Sequence, residues 1–391
     1  MSFLRAKIPI FFLTLLAKLL RAVITIYFRF AFTTFTKPSP DGIEYIPFID
    51  TTTNDKPSPK KSIKVHIYNP PPSPDPNPSK PPATPVLINA CGTGFIIPGH
   101  GLDDSYCRLI ADKAGHTVID VKYRLAPEHP YPTALEDLVA VVRYILSHPE
   151  KYDKNHISIG GFSAGGNIAA SVAVNFFPVR TFEALILFYP VLDARAMAKM
   201  AGQTQAGTGT GTGTGTQTET EPGSMKPGMG GLACIPARLM KFFQACYLAE
   251  GKSTPTTSTT DVENPKAKQF DTANPRISPA RADLFRFPRR CLFITAEHDC
   301  LSIETEEMAK KLKEFADADG NSIRQADEDD AVSEIGDACK SKREVIVHRV
   351  SGCGHTFDKN VEVGSEREGV RDTAYGVVVD FLKEDPKDED V

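Results

Sequence analysis

Apolar residues in this 391-residue chain fall into two alternating patterns, short unbroken runs and longer stretches at helical spacing. Pro85 to Ala90, Ile157 to Gly160, Phe182 to Tyr189 and Cys291 to Ala296 are short and largely apolar, and His116 to Tyr123 and Glu344 to Val350 are shorter apolar clusters with polar residues among them. Runs of that kind read as strands buried on both faces, as in a parallel sheet. Between them, Asp103 to Gly115, Thr133 to His148, Gly166 to Phe177, Ile303 to Ala316 and Arg371 to Leu382 carry helical periodicity. Leu135, Leu138, Val139, Val142 and Ile145 share one face of the second of these. Strand and helix in alternation predict an α/β, doubly wound, mostly parallel sheet. The amphipathic segment from Ile235 to Leu248 is expected to form a helical cap over the site. Its expected partner is the segment 38–62.

Four stretches lack the apolar content to pack. Residues 70–85 are proline-rich and 200–231 contain a Gly-Thr repeat (207–216). Residues 251–268 are rich in Thr and Ser, and 316–343 are acidic. Each is expected to be a disordered insertion in one catalytic domain spanning 38–391, with cap elements at 38–62 and 232–250.

The first 37 residues read as a separate hydrophobic and cationic helix. Residues 8–35 are rich in Leu, Ile and Phe, while Lys7, Thr14, Lys18, Arg21, Thr25 and Arg29 fall on one helical stripe. For a membrane-spanning helix the apolar gain and the cost of Lys18 and Arg21 nearly cancel. A cationic stripe opposite an apolar face better suits a helix lying in the membrane interface. Packing of this helix on the catalytic body is the competing arrangement.

The chemistry concentrates at strand ends. Gly161-Phe162-Ser163-Ala164-Gly165 stands between a strand run and a small-residue helix, the layout of a nucleophile elbow. Asp299 follows the strand 291–296, and His355 lies in a glycine-rich loop after the strand 344–350. Singly, Ser163 and Asp299 would pass for helix caps. His355 would pass for a loop histidine without a role, as His66, His100, His116 and His148 are read. Together they follow the order Ser, Asp, His used by α/β-hydrolase triads. Ligands of open parallel sheets bind beyond the carboxyl ends of the strands, where all three fall.

Further blocks carry a family likeness. The strand 85–90 leads into Cys91-Gly92-Thr93-Gly94-Phe95, and Tyr123-Arg124-Leu125-Ala126-Pro127-Glu128-His129-Pro130 follows. With the elbow continuing as Gly165-Gly166-Asn167, with Asp299-x-Leu301-x-x-Glu304 and with Gly354-His355-x-Phe357, the chain resembles the hormone-sensitive-lipase-like branch of the α/β-hydrolases. The likeness runs over roughly residues 60–385, insertions apart. It implies Ser163 as nucleophile, His355 as proton carrier and Asp299 as its orienting acid. It also implies an oxyanion hole built from the amides of Gly92, Thr93, Gly94 and Ala164. One departure stands out: that family has His-Gly-Gly-Gly-Phe where this chain has Cys91 and Thr93. In the family the histidine holds the loop. A thiol is a weaker hydrogen-bonding group, so a softened loop, a slower enzyme and a gain in turnover from Cys91→His are expected.

Charge and cysteine content narrow the setting. A net charge of −4 leaves no nucleic-acid footprint. The eight cysteines show no Cys-x-x-Cys pair, and no Asn-x-Ser/Thr sequon occurs. Both fit a reducing, cytosol-facing domain. The expectation is a serine carboxylesterase acting on short, acetyl-like esters of lipophilic alcohols, with no metal or organic cofactor. It would sit on the endoplasmic reticulum or a lipid-droplet surface through residues 8–35. The alternative is a hydrolase relative that binds small molecules without turnover, because of Cys91.

Overall fold

The computed structural model describes residues 9–31, 38–48, 62–72, 83–195, 235–249, 270–317 and 343–384. Eight strands form one sheet: β1 (Gly42–Pro47), β2 (Ser62–Tyr68), β3 (Thr84–Ala90), β4 (Thr117–Val121), β5 (Tyr152–Phe162), β6 (Ala184–Phe188), β7 (Arg290–Ala296) and β8 (Glu344–Val350). Their spatial order is β1-β2-β4-β3-β5-β6-β7-β8. Only the pairings made by β2, with β1 and β4, are antiparallel. β4, β3 and β5 to β8 run parallel.

The unbroken apolar runs are explained by burial on both faces. On β6, Leu185 and Leu187 enter one core, while Ala184, Ile186 and Phe188 enter the other. β7 divides likewise, Cys291 and Phe293 against Leu292, Ile294 and Ala296. Helices α2 (Asp104–Ala114) and α7 (Glu366–Lys383) cover one face. Helices α3 (Thr133–Leu146), α4 (Ala164–Asn175) and α6 (Ser302–Asp317) cover the other. The cap segment gives α5 (Ala237–Tyr247).

Four expectations need correction. Residues 42–47, assigned to the cap, are instead the edge strand β1, paired from Gly42 opposite Ile67 to Pro47 opposite Ser62. With polar residues interleaved, β1 and β2 lack the apolar run that marks a buried strand. His66, grouped with loop histidines, lies within β2. The proposed disordered stretches fall mostly outside the described residues, but their margins were too wide. β3 already begins at Thr84 and α6 continues to Asp317.

The fourth correction concerns the amino-terminal helix, α1 (Ile10–Ala31). Among the described residues no helix is long and apolar enough to cross a membrane. α1 packs on the body of the fold through Leu13, Ala17 and Leu20, and lies against α5. Arg21, expected on the outward cationic stripe, turns inward. Its guanidinium donates to the Ile96 carbonyl at 2.7 Å, the Ala126 carbonyl at 2.6 Å and both Glu128 carboxylate oxygens. A stripe of polar residues fixes a helix face but not which face is buried; partners for the guanidinium decide that here. The exposed side carries Phe11, Phe12, Leu15, Leu16, Leu19, Val23 and Ile26.

Candidate active site

The chain turns from β5 into α4 within one residue, Ser163, held at φ 51° and ψ −115°. A positive φ is costly for a residue with a Cβ and persists only where the surroundings impose it. The imposing contacts are visible at the two glycines. A Cβ on Gly165 would lie 2.0 Å from the Ala90 carbonyl oxygen, and one on Gly161 would lie 2.6 Å from the same atom. Only glycine lets β3, β5 and α4 converge so closely.

Ser163, Asp299 and His355, far apart in sequence, meet at this turn and are all buried. The Ser163 Oγ lies 3.0 Å from His355 Nε2, and His355 Nδ1 lies 2.7 Å from Asp299 Oδ2. The second Asp299 oxygen accepts the Leu301 amide at 3.0 Å, which fixes the carboxylate plane. Nδ1 therefore carries the proton toward Asp299, leaving Nε2 as the acceptor for the serine hydroxyl. The edge of the imidazole rests on Tyr189, ring centres 4.6 Å apart.

Behind Tyr189 stands a buried charged group that sequence reasoning missed. Tyr189 and Tyr375 donate to the two oxygens of Asp358, at 2.5 and 2.8 Å. Lys359 Nζ lies 2.8 Å from Asp358 and 2.5 Å from Asp103. Burial opposes the Lys359 charge, but Asp103 and Asp358 outweigh it and raise its pKa. The loop carrying His355 is thus pinned just beyond the histidine. Lysine beside aspartate in a loop gives no sequence signal of burial.

The loop Cys91–Phe95 lies against the elbow: a Cβ on Gly92 would meet Phe162, the residue before Ser163, at 3.2 Å. Thr93 keeps out of the left-handed region, which falls on Gly94 (φ 54°) and Phe95 (φ 67°). The loop is held by hydroxyls. Tyr123 donates to the Cys91 carbonyl at 2.8 Å, and the Thr93 and Tyr123 hydroxyls are bonded to each other. Since the single tyrosine proton goes to Cys91, Thr93 is the donor in that pair. The Phe95 amide in turn donates to Thr93 Oγ1 at 3.1 Å. Burial pushes the Cys91 thiol well above its ordinary pKa, with Asp120 and Asp103 adding to the effect. It is a packing group, not a reactive one.

α5 closes over this loop. Phe243 occupies the space beside Gly94, and Tyr247 stacks on Phe95 with ring centres 3.9 Å apart. Next to the elbow lies a small apolar cavity lined by Phe95, Asn167, Val191, Ala194, Tyr247 and Ile277. Asn167 spans its wall, donating to the carbonyls of Val191 and Ile277.

A serine poised on a strand-to-helix turn, relayed through histidine to aspartate above a parallel sheet, defines an α/β-hydrolase fold. Comparison with known proteins agrees. Residues 87–217 match the family model described as alpha/beta hydrolase fold. The carboxylic ester hydrolase LipN of Mycobacterium tuberculosis is 27% identical over 68% of this chain and 60% of its own length. An acetyl esterase of Salmonella schwarzengrund is 33% identical over 33% of this chain and 38% of its own length. Each matched stretch thus spans less than two thirds of the relative's own length. A solved esterase from Pyrobaculum calidifontis superposes with a TM-score of 0.60 at 20% identity, covering 94% of this chain and 92% of that one. The chain therefore has the α/β-hydrolase fold, and its motifs resemble those of the hormone-sensitive-lipase-like branch.

Proposed function

We propose that this chain is a serine carboxylesterase that cleaves short, acetyl-like esters of lipophilic alcohols through an acyl-enzyme. The reading rests on the unbroken Ser163–His355–Asp299 hydrogen-bond chain. In it, Ser163 Oγ attacks the ester carbonyl as His355 Nε2 takes its proton. Asp299 stabilises the imidazolium, and the proton then passes to the leaving alcohol. Water repeats the sequence on the acyl-enzyme and frees the acid. The amides of Gly92, Thr93, Gly94 and Ala164 are assigned to the oxyanion, where preorganised donors contribute most.

The closure of α5 on the Cys91–Phe95 loop, through Phe243 beside Gly94 and Tyr247 on Phe95, leaves little room there and supports the acetyl-like preference. Similarity to an acetyl esterase points the same way. Binding without turnover is the weaker reading, because Thr93 and Tyr123 supply the loop support that Cys91 does not. Contact with a membrane or lipid-droplet surface is part of the proposal. It is supported by the exposed apolar face of α1, led by Phe11 at 69% and Val23 at 64% exposed.

A series of nitrophenyl esters of increasing acyl length, run on the wild type and Ser163→Ala, tests the reading. Serine-dependent release that falls with acyl length is expected. Release that survives Ser163→Ala, or no release at any length, would overturn it.

A further inference from the structure

We propose that His66, His100 and Asp120 form a site for one divalent transition-metal ion, sharing no residue with the Ser163–His355–Asp299 chain. The three come from β2, from the segment after the Cys91–Phe95 loop and from β4. Each offers one ligand atom, and the three atoms lie within 4.8 Å of one another. His100 Nε2 is 3.3 Å from Asp120 Oδ2 and 3.2 Å from the Asp120 carbonyl oxygen, a bond that an ion would replace. The two imidazole rings are 3.9 Å apart between centres. Zinc binds histidine nitrogen and carboxylate oxygen at about 2.0–2.2 Å. Two atoms each about 2.1 Å from one ion are at most about 4.2 Å apart, so the three would close slightly upon it. Two imidazoles and one carboxylate suit zinc, cobalt or nickel rather than calcium or magnesium, and leave room for water on the ion.

A second observation points to the same ligand. His66 Nδ1 is buried and has no hydrogen-bond partner, while the buried Asp120 carboxylate faces the His100 ring nitrogen and the Gly101 amide. Native structures rarely leave an atom such as the His66 nitrogen without a partner. A cation would take a lone pair from it and one from the carboxylate. Asp120 Oδ1 is fixed by the Asn89 amide at 2.9 Å, the kind of outer support that orients metal-binding carboxylates. The Asp104 carboxylate stands 3.9 Å from His66 Nδ1 and adds negative charge, while Lys64 and Lys122 oppose it. Burial lowers the pKa of both histidines, that of His100 to about 3 with His66 adding to the effect. At neutral pH each is already the uncharged imidazole that a metal requires. Burial, with Asp103 and Asp104 nearby, pushes the Asp120 carboxyl well above its usual range, so an entering ion displaces that proton. With their side chains 12% and 9% exposed, the histidines leave the site open to an entering ion.

The full chain, purified without a polyhistidine tag and stripped by chelator, should be loaded with Co2+ or Zn2+, desalted and assayed for retained metal. About one ion per chain is expected for the wild type. His66→Ala and His100→Ala should each weaken binding at least ~10-fold. His116→Ala, as control, should not. The cobalt form should show no thiolate charge-transfer band, which separates this site from binding by cysteine. Failure of the wild type to retain an ion would overturn the site. So would equal retention in the two histidine variants, or a thiolate band. Asp120→Asn should behave like the histidine variants; if it does not fold, the histidine pair carries the test.

Discussion

Tyr123 and Thr93 share a hydroxyl-to-hydroxyl bond that closes the loop in front of Ser163, and the Tyr123 hydroxyl donates to the Cys91 carbonyl. The loop is therefore tied to the residue after β4, not to its own first side chain. Removing either hydroxyl leaves buried acceptors or donors unmatched, at about 1–3 kcal/mol. Tyr123→Phe and Thr93→Val should each lower kcat on a short nitrophenyl ester by roughly 10- to 100-fold. That is milder than the ~100- to 1,000-fold of losing an oxyanion donor outright. KM should move little, since the loop acts on the transition state.

The same arrangement reverses the expectation for Cys91. Its side chain is buried against a loop that is already held, and histidine is larger. Overpacking of this kind typically costs about 1–3 kcal/mol. Cys91→His should melt earlier than the wild type and turn over no faster. A rise in kcat in the folded variant would restore the softened-loop view.

Glu304 offers a test by pH. Its Oε1 accepts the Leu192 amide at 2.8 Å, and burial, reinforced by Asp193 and Asp299, raises its pKa from 4.5 to about 8. A carboxyl that holds its proton more tightly when folded stabilises fully below pH 4.5 and loses that contribution as pH climbs through 8. Glu304→Gln cannot ionise, so it should remove this loss, on the order of several kcal/mol. Thermal unfolding of both proteins at about pH 5 and about pH 9 checks it: the gap between the two pH values should shrink in the variant.

On α1, Phe11 and Leu19 stand on the side turned from the body. Each apolar side chain that enters a lipid interface contributes about 1.5–3 kcal/mol when fully buried. Phe11→Ser with Leu19→Ser should lower recovery with floated anionic vesicles at least ~10-fold. Activity on a water-soluble ester should stay at the wild-type level. Unchanged flotation would remove the membrane assignment.

What the sequence made legible and what it hid divide along physical lines. Ser163, Asp299 and His355 each sit in a local pattern of strand, turn and small residues, so their place at strand ends could be read directly. The support from Thr93 and Tyr123 joins residues from β3's exit and β4's exit, a contact no periodicity encodes. β1 and β2 escaped because their side chains alternate with charged and polar ones such as Glu44, Lys64 and His66. His66, His100 and Asp120 come from three segments whose adjacency exists only after folding. Arg21 was misplaced because amphipathicity gives a helix two faces without saying which one faces inward.

The inward turn of Arg21 has a practical consequence. A trimmed protein starting at residue 38, an obvious choice for easier purification, would lose the guanidinium that bridges the Ile96 and Ala126 carbonyls to Glu128. The carbonyl of Ile96, next to the loop in front of Ser163, and that of Ala126, whose amide bonds the Phe95 carbonyl, would then lose their donor. Kinetic constants measured on such a fragment would belong to a looser enzyme than the one the whole chain builds.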